Sequence, residues 1–230
     1  MKDKIFVPFT FIINLINKGH DRSIKAKKNI IASVFIRGTS MAISFILVPL
    51  TINYVNVSQY GIWLTLSSIV GWFSFFDIGF TKGLRNKFAE AKASGNDTLA
   101  QIYVSTTYAI LTIIFAITWL VFLVVNQFLN WAHILNVSEK MESEISVVAL
   151  IVFTYFCLQF ILRIITTVIT ADQQPAKASL IDVLGQILSL IFVFILVKTT
   201  QGSLISLGWA LCASPILILL GANIFFFRGA

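Results

Sequence analysis

Six stretches of the chain are apolar over lengths that let a helix cross a bilayer: about 29–53, 60–76, 102–125, 145–169, 178–197 and 204–227. Roughly 20 residues at ~1.5 Å each span the ~30 Å hydrocarbon core, and such long runs exclude a membrane barrel, whose strands alternate apolar and polar over about ten residues. The pattern predicts an all-α integral membrane protein with six transmembrane helices in one bundle over 29–230. Ahead of the bundle, Ile5 through Ile16 is apolar but too short to span. Residues 1–28 therefore read as an interfacial helix and a basic tail, without the small-residue cleavage site of a signal peptide.

Polar residues inside the spans fall on stripes. At ~100° per residue, Ser33, Arg37, Ser40, Ser44 and Thr51 lie within about 60° of one another on the first span. The second aligns Tyr60, Ser67, Gly71 and Ser74, and the third aligns Gln101, Ser105, Tyr108 and Thr112. The fourth aligns Tyr155, Gln159, Arg163, Thr166 and Thr170, and the fifth Ser179, Asp182, Gln186 and Ser189. The sixth has no clean stripe, and its Pro215 marks a kink. Small polar residues also serve as helix–helix packing groups. Glutamines and charges do not, since a charge at mid-bilayer costs about 2.5–3.5 kcal/mol even on the mildest scales. Taken together the stripes predict a hydrated cavity.

Arg37 lies about 12 Å inside the first span at ~1.5 Å per residue. Arg163 and Asp182 reach similar depths on the fourth and fifth spans, where an interhelical ion pair and a substrate role are both open. Arg37 has no such partner in sequence, leaving snorkelling to the interface or a cavity role.

Between the second and third spans runs a charged junction, Phe76 through Lys92. On a helical wheel Phe80, Leu84, Phe88 and Ala91 share one face and Lys82, Arg85 and Lys92 the other, with Lys87 on the apolar side. This predicts a basic amphipathic helix lying on a membrane surface. Asp77 ahead of it reads as a helix cap or as an ion or proton group. Lys82 and Arg85 read either as contacts to anionic lipid headgroups or as the lip of the cavity.

Composition sharpens this picture: 57% of residues are hydrophobic and 12% charged, against about 25% charged in soluble domains. The net charge of +7 would suggest nucleic acid in a soluble protein; here it reports topology, and no nucleic-acid partner is expected. Lys18, Arg22, Lys25, Lys27, Lys28, Lys82, Arg85, Lys87, Lys92, Lys177 and Arg228 gather on one side, whereas on the other the connection over 126–144 carries Glu139, Glu142 and Glu144 against Lys140, and the fifth connection carries Lys198. The positive-inside rule then places both termini in the cytoplasm. The sequons at Asn56 and Asn136 fall outside. Cys157 and Cys212 sit in apolar spans as small hydrophobes, and neither His20 nor His133 stands near a nucleophile or metal-ligand pattern. No catalytic residue, metal or cofactor is expected, and the chain does not read as an enzyme.

The residues Tyr60-Gly61-Ile62-Trp63, then Phe76-Asp77-Ile78-Gly79 with Gly83-Leu84-Arg85-Asn86-Lys87, then Ala171-Asp172-Gln173-Gln174-Pro175 leading into Asp182-Val183-Leu184-Gly185-Gln186 resemble the polysaccharide repeat-unit flippases. These are the O-antigen translocases of the multidrug/oligosaccharidyl-lipid/polysaccharide exporter superfamily. The likeness runs from about residue 29 to the end. It implies two six-helix lobes around a central cavity in the bacterial inner membrane. Alternating access would carry an undecaprenyl-diphosphate-linked oligosaccharide from the cytoplasmic to the periplasmic leaflet. This chain supplies one lobe, so the resemblance implies a second, from a missing C-terminal half or from another chain.

Such cargo needs cations near the inner leaflet, where arginine's planar fork suits a diphosphate, and polar groups for its sugars. Arg37, Arg85 and Arg163, assisted by Lys82, are the expected headgroup contacts. Gln101, Tyr155, Gln159 and Gln186 are the expected sugar-facing groups, with Ser40, Ser44 and Asp182 also lining the cavity. A multidrug cation antiporter of the same superfamily is the nearest alternative, resting on Asp182 alone. A non-transporting membrane subunit, its stripes serving only as helix glue, is another.

Overall fold

The computed structural model describes the backbone of residues 21–72 and 79–228, and side chains from 28 to 72 and from 79 to 227. The apolar segment over 5–16, and Asp77 with the cap expected there, lie outside the described residues. The described elements are α1 (Asp21–Val55), α2 (Val57–Trp72), α3 (Phe80–Ala93), α4 (Asp97–Val125), α5 (Trp131–Leu135), a 3-10 turn (Glu139–Met141), α6 (Glu142–Leu162), α7 (Ile164–Ala171), α8 (Pro175–Thr199) and α9 (Leu204–Arg228). No strand occurs among them.

Five segments are long and apolar enough to cross a membrane: Lys28–Val55, Asp97–Val125, Glu139–Ala171, Pro175–Thr199 and Leu204–Phe227. The chain is a multi-pass, all-helical membrane protein. Of the expected second span, the described part is α2, whose 16 residues cover about 24 Å at ~1.5 Å per residue; its continuation over 73–76 lies outside the described residues. The first span, Lys28–Val55, starts where the sequence places it. The helix that carries it begins earlier: α1 runs unbroken for 35 residues, so the basic residues from Arg22 to Lys28 form its first turns. Lysine and arginine are good helix formers, and nothing between Asp21 and Asn29 breaks the backbone pattern.

The helix α8 is the hub of the bundle, packing along α1, α7 and α9, while α6 packs against α9, α4 and α2. One end is closed by a core of Tyr54, Val55, Ile62, Trp131, Ile145, Val148, Val193, Leu204 and Leu207. The acidic loop has structural work there. The Glu142 carboxylate accepts from the Trp131 and Ala132 amides and caps α5, and Glu144 accepts from the Leu204 amide at the start of α9. The Tyr54 hydroxyl, 2.9 Å from that of Thr200 and 3.1 Å from the Gln201 carbonyl, ties the end of α1 to the α8–α9 turn. Phe122 and Phe153 stack with ring centroids 3.9 Å apart, beside the buried Cys157. Val34, Phe35, Met41 and Phe45 on α1, and Ile113, Ile117 and Val121 on α4, point outward, as lipid-facing surfaces do.

The junction helix α3 forms as predicted, but its apolar face is not turned to lipid. Leu84, Phe88 and Ala91 are buried against Ala100, Val104, Leu111, Ile164 and Val168 of α4 and α7, leaving only Phe80 of that face exposed, at 47%. An amphipathic stripe specifies burial without specifying the partner, and here protein supplies it. Lys87 escapes the apolar side by pairing with Glu90 at 3.0 Å. Lys92 pairs with Asp97 at 2.8 Å, and that hydrogen bond raises the ammonium pKa.

Candidate functional site

Three of the predicted stripes converge. A cavity of about 230 Å³ between α1, α6, α8 and α9 is lined by Arg37 and Ser40, by Tyr155, Gln159 and Arg163, and by Asp182 and Gln186. Each side chain is delivered by helical spacing: Arg37 and Ser40 are i, i+3 on α1, Tyr155 and Gln159 are i, i+4 on α6, and Asp182 and Gln186 are i, i+4 on α8. The Ser40 hydroxyl donates to Gln186 Oε1 at 2.6 Å, a bond across the α1–α8 seam. Arg163 Nη2 donates to Asp182 Oδ1 at 3.3 Å, so the pair open to sequence reasoning is made. Both partners remain about half exposed, at 52% and 43% of the side chain. Arg37 is exposed toward the same space and has no ion pair among the described residues. The α8–α9 wall is tight: a β-carbon at Gly185 would come within 3.1 Å of Pro215 Cα, so Pro215, inside α9, packs against a residue with no side chain to obstruct it.

Arg163 occupies a break that the apolar run over 145–169 conceals. It ends α6 and starts α7, and the Thr166 amide turns to the Arg163 carbonyl at 3.1 Å instead of continuing the α-helical ladder to Leu162. The Leu162 carbonyl freed in this way accepts the Asn223 side-chain amide from α9 at 3.0 Å, and Asn223 Oδ1 accepts the Tyr108 hydroxyl at 2.6 Å. The Thr166 hydroxyl closes on the Arg163 carbonyl at 2.7 Å. Buried polar groups need partners, and this network supplies them where the helix does not. Asn223 was not singled out from sequence; its trace there is a lone amide in the apolar run of α9.

The other expected residues lie elsewhere. Ser44 is exposed and donates back to the Ser40 carbonyl at 3.1 Å, so it does not line the cavity. Gln101 lines a separate, larger space of about 940 Å³, with Ser105 and Tyr108 of α4, Phe88 of α3 and Phe226 and Phe227 of α9. Lys82 and Arg85 edge a crevice of about 160 Å³ with Thr81, Thr166, Thr167 and Thr170. Between that crevice and the central cavity lies a space of about 180 Å³, lined by Thr81, Thr166 and Thr167 on one side and by Gln159 and Arg163 on the other. The three spaces adjoin through shared residues: Thr81, Thr166 and Thr167 line both of the outer two, and Gln159 and Arg163 line both the middle space and the central cavity. No group of three or more histidine, cysteine or carboxylate side chains is placed to hold a metal among the described residues.

No protein-family model, no curated protein and no solved structure matches the chain.

Proposed function

We propose that the chain is one six-helix lobe of a transporter that carries a lipid-linked oligosaccharide diphosphate across a bacterial inner membrane by alternating access. One observation carries this reading: in an otherwise apolar bundle, three helices converge on a cavity holding two arginines against one aspartate, and Arg37 has no ion pair among the described residues. A guanidinium kept at that depth is costly unless water or an anion meets it. A diphosphate, which takes paired N–H donors from a planar fork, suits Arg37 and Arg163. Tyr155, Gln159 and Gln186 offer donors and acceptors to sugar hydroxyls, and the lipid tail stays in the bilayer. At about 230 Å³ the cavity is smaller than the ~300–1,000 Å³ of sites that enclose a ligand, which supports a facing lobe completing it.

In this reading both termini and α3 lie on the cytoplasmic side, following the positive-inside rule. The cavity's charge favours an anionic cargo over the cationic one of a drug antiporter, because Asp182, its one carboxylate among the described residues, is already bonded to Arg163. The test is translocation of a polyprenyl-diphosphate-linked oligosaccharide in proteoliposomes or cells, with the facing lobe present. Arg37→Ala and Arg163→Ala should each lower the rate at least about tenfold, the scale of losing a charge-assisted hydrogen bond. Full activity in both variants removes the headgroup assignment.

A further inference from the structure

We propose that the crevice between α3 and α7 is a phosphate-binding site beside the central cavity, with Lys82 and Arg85 as its own cations, Arg163 as the cation it shares with that cavity, and Thr81, Thr166, Thr167 and Thr170 as its threonine wall. Two adjoining spaces, of about 160 and 180 Å³, share Thr81, Thr166 and Thr167. Lys82 and Arg85 close the outer one, and Gln159 and Arg163 close the inner one. Among the described residues no carboxylate lines either space, whereas the central cavity contains Asp182 and the space around Gln101 contains Asp97 and Asp172. Of these four spaces the crevice is therefore the one whose charged lining, among the described residues, is wholly cationic.

The chemistry fits a phosphate group in particular. Its oxygens accept several hydrogen bonds at once, and an arginine fork, a lysine ammonium and the Thr167 hydroxyl supply donors of three geometries, whereas the Thr166 and Thr170 hydroxyls already donate to the Arg163 and Thr166 carbonyls. The walls are preorganised. The apolar face of α3 is packed against α4 and α7 through Leu84, Phe88, Ile164 and Val168, so Lys82 and Arg85 stand on an anchored helix. Thr166 and Thr167 sit on the first turn of α7, directly after the break at Arg163, and each is only 9% exposed. Arg163 lines both the inner space and the central cavity. One guanidinium thus serves either an anion in the crevice or Asp182, and an occupant is handed toward Arg37 by a residue already in place. The inference extends the proposed function by giving the charged end of the cargo a first stop, but phosphate binding itself does not depend on transport.

The test uses the full chain in nanodiscs of phosphatidylcholine, with pyrophosphate titrated and binding read by calorimetry and by ³¹P line broadening. Wild type should bind, and Arg85→Ala and Thr167→Val should each weaken binding about tenfold, as the loss of one hydrogen bond to a charged group predicts. Lys198→Ala, which removes one positive charge at the opposite end of α8, should bind as wild type. In a second arm a polyprenyl diphosphate is included in the nanodisc. Competition with pyrophosphate identifies a lipid headgroup as the ligand, and its absence identifies a soluble phosphate. No binding by wild type, unchanged binding in both crevice variants, or equal weakening in Lys198→Ala overturns the site. Crevice variants that lose binding yet translocate normally separate the site from transport. Crevice binding in a complete transporter that never translocates keeps the site and removes the transport reading.

Discussion

Breaking the Arg163–Asp182 pair measures how wet the central cavity is. At 3.3 Å two unit charges attract by about 1.3 kcal/mol at the dielectric constant of bulk water and by about 5 kcal/mol at an effective value of ~20. The side chains are 52% and 43% exposed, so solvent screening pulls the net coupling toward the ~0.2–1 kcal/mol of exposed pairs. A pair sealed in a dry core would behave otherwise, since removing one partner there costs ~3–5 kcal/mol. The assay is a double-mutant cycle of Arg163→Ala, Asp182→Ala and the double variant, with unfolding followed in bicelles at low salt and near 1 M salt. A coupling of about 1 kcal/mol or less, falling further at high salt where the Debye length is ~3 Å, is expected. A coupling of about 3 kcal/mol or more that ignores salt refutes a hydrated cavity and makes the pair a structural lock.

Two further variants test the packing that positions the site. Asn223→Ala removes the donor that satisfies the Leu162 carbonyl and the acceptor for Tyr108; thermal unfolding should show a loss of about 1–3 kcal/mol, the cost of a buried group left unpaired. Gly202→Ala drives a β-carbon into the Tyr54 carbonyl oxygen, and the forced shift of the α8–α9 turn should cost about 1–3 kcal/mol in the same measurement. Pyrophosphate binding should be unaffected by Gly202→Ala, because that turn is at the other end of the bundle.

Much of the site was legible because helical periodicity is a strong constraint. Once the first, fourth and fifth spans are helical, Arg37, Gln159, Arg163, Asp182 and Gln186 must lie on continuous faces, and expensive side chains in lipid must face something polar. What periodicity does not encode is which neighbour a face meets. Gln101 belongs to as good a stripe as Gln186, yet α4 lies on the far side of α6 and α7 and turns it into another space. Ser44 falls on the Arg37 stripe but packs against its own helix's backbone, as mid-helix serines do when no partner approaches. The same gap explains α3, whose stripe predicted burial correctly and assigned it to lipid. The break at Arg163 was hidden for a different reason. Hydropathy stays high across it, and the run of β-branched residues from Ile164 to Thr170, which lowers helix propensity, does not say where a helix breaks; what releases the backbone there is an acceptor satisfied from α9, 61 residues away in sequence.

Cysteine accessibility tests the hydrated cavity most directly, because it needs no knowledge of the cargo. In a chain whose native Cys157 and Cys212 are replaced, thiols introduced at Ser40 and Gln159 should react with a membrane-impermeant reagent from the side that carries α3. A thiol at Ser189, buried within α8 at 4% exposure, should stay unmodified. Pyrophosphate should slow the reaction at Gln159, which lines both the crevice and the cavity. Silent thiols at both Ser40 and Gln159, in folded protein, contradict a water-filled path from the basic helix to Arg37.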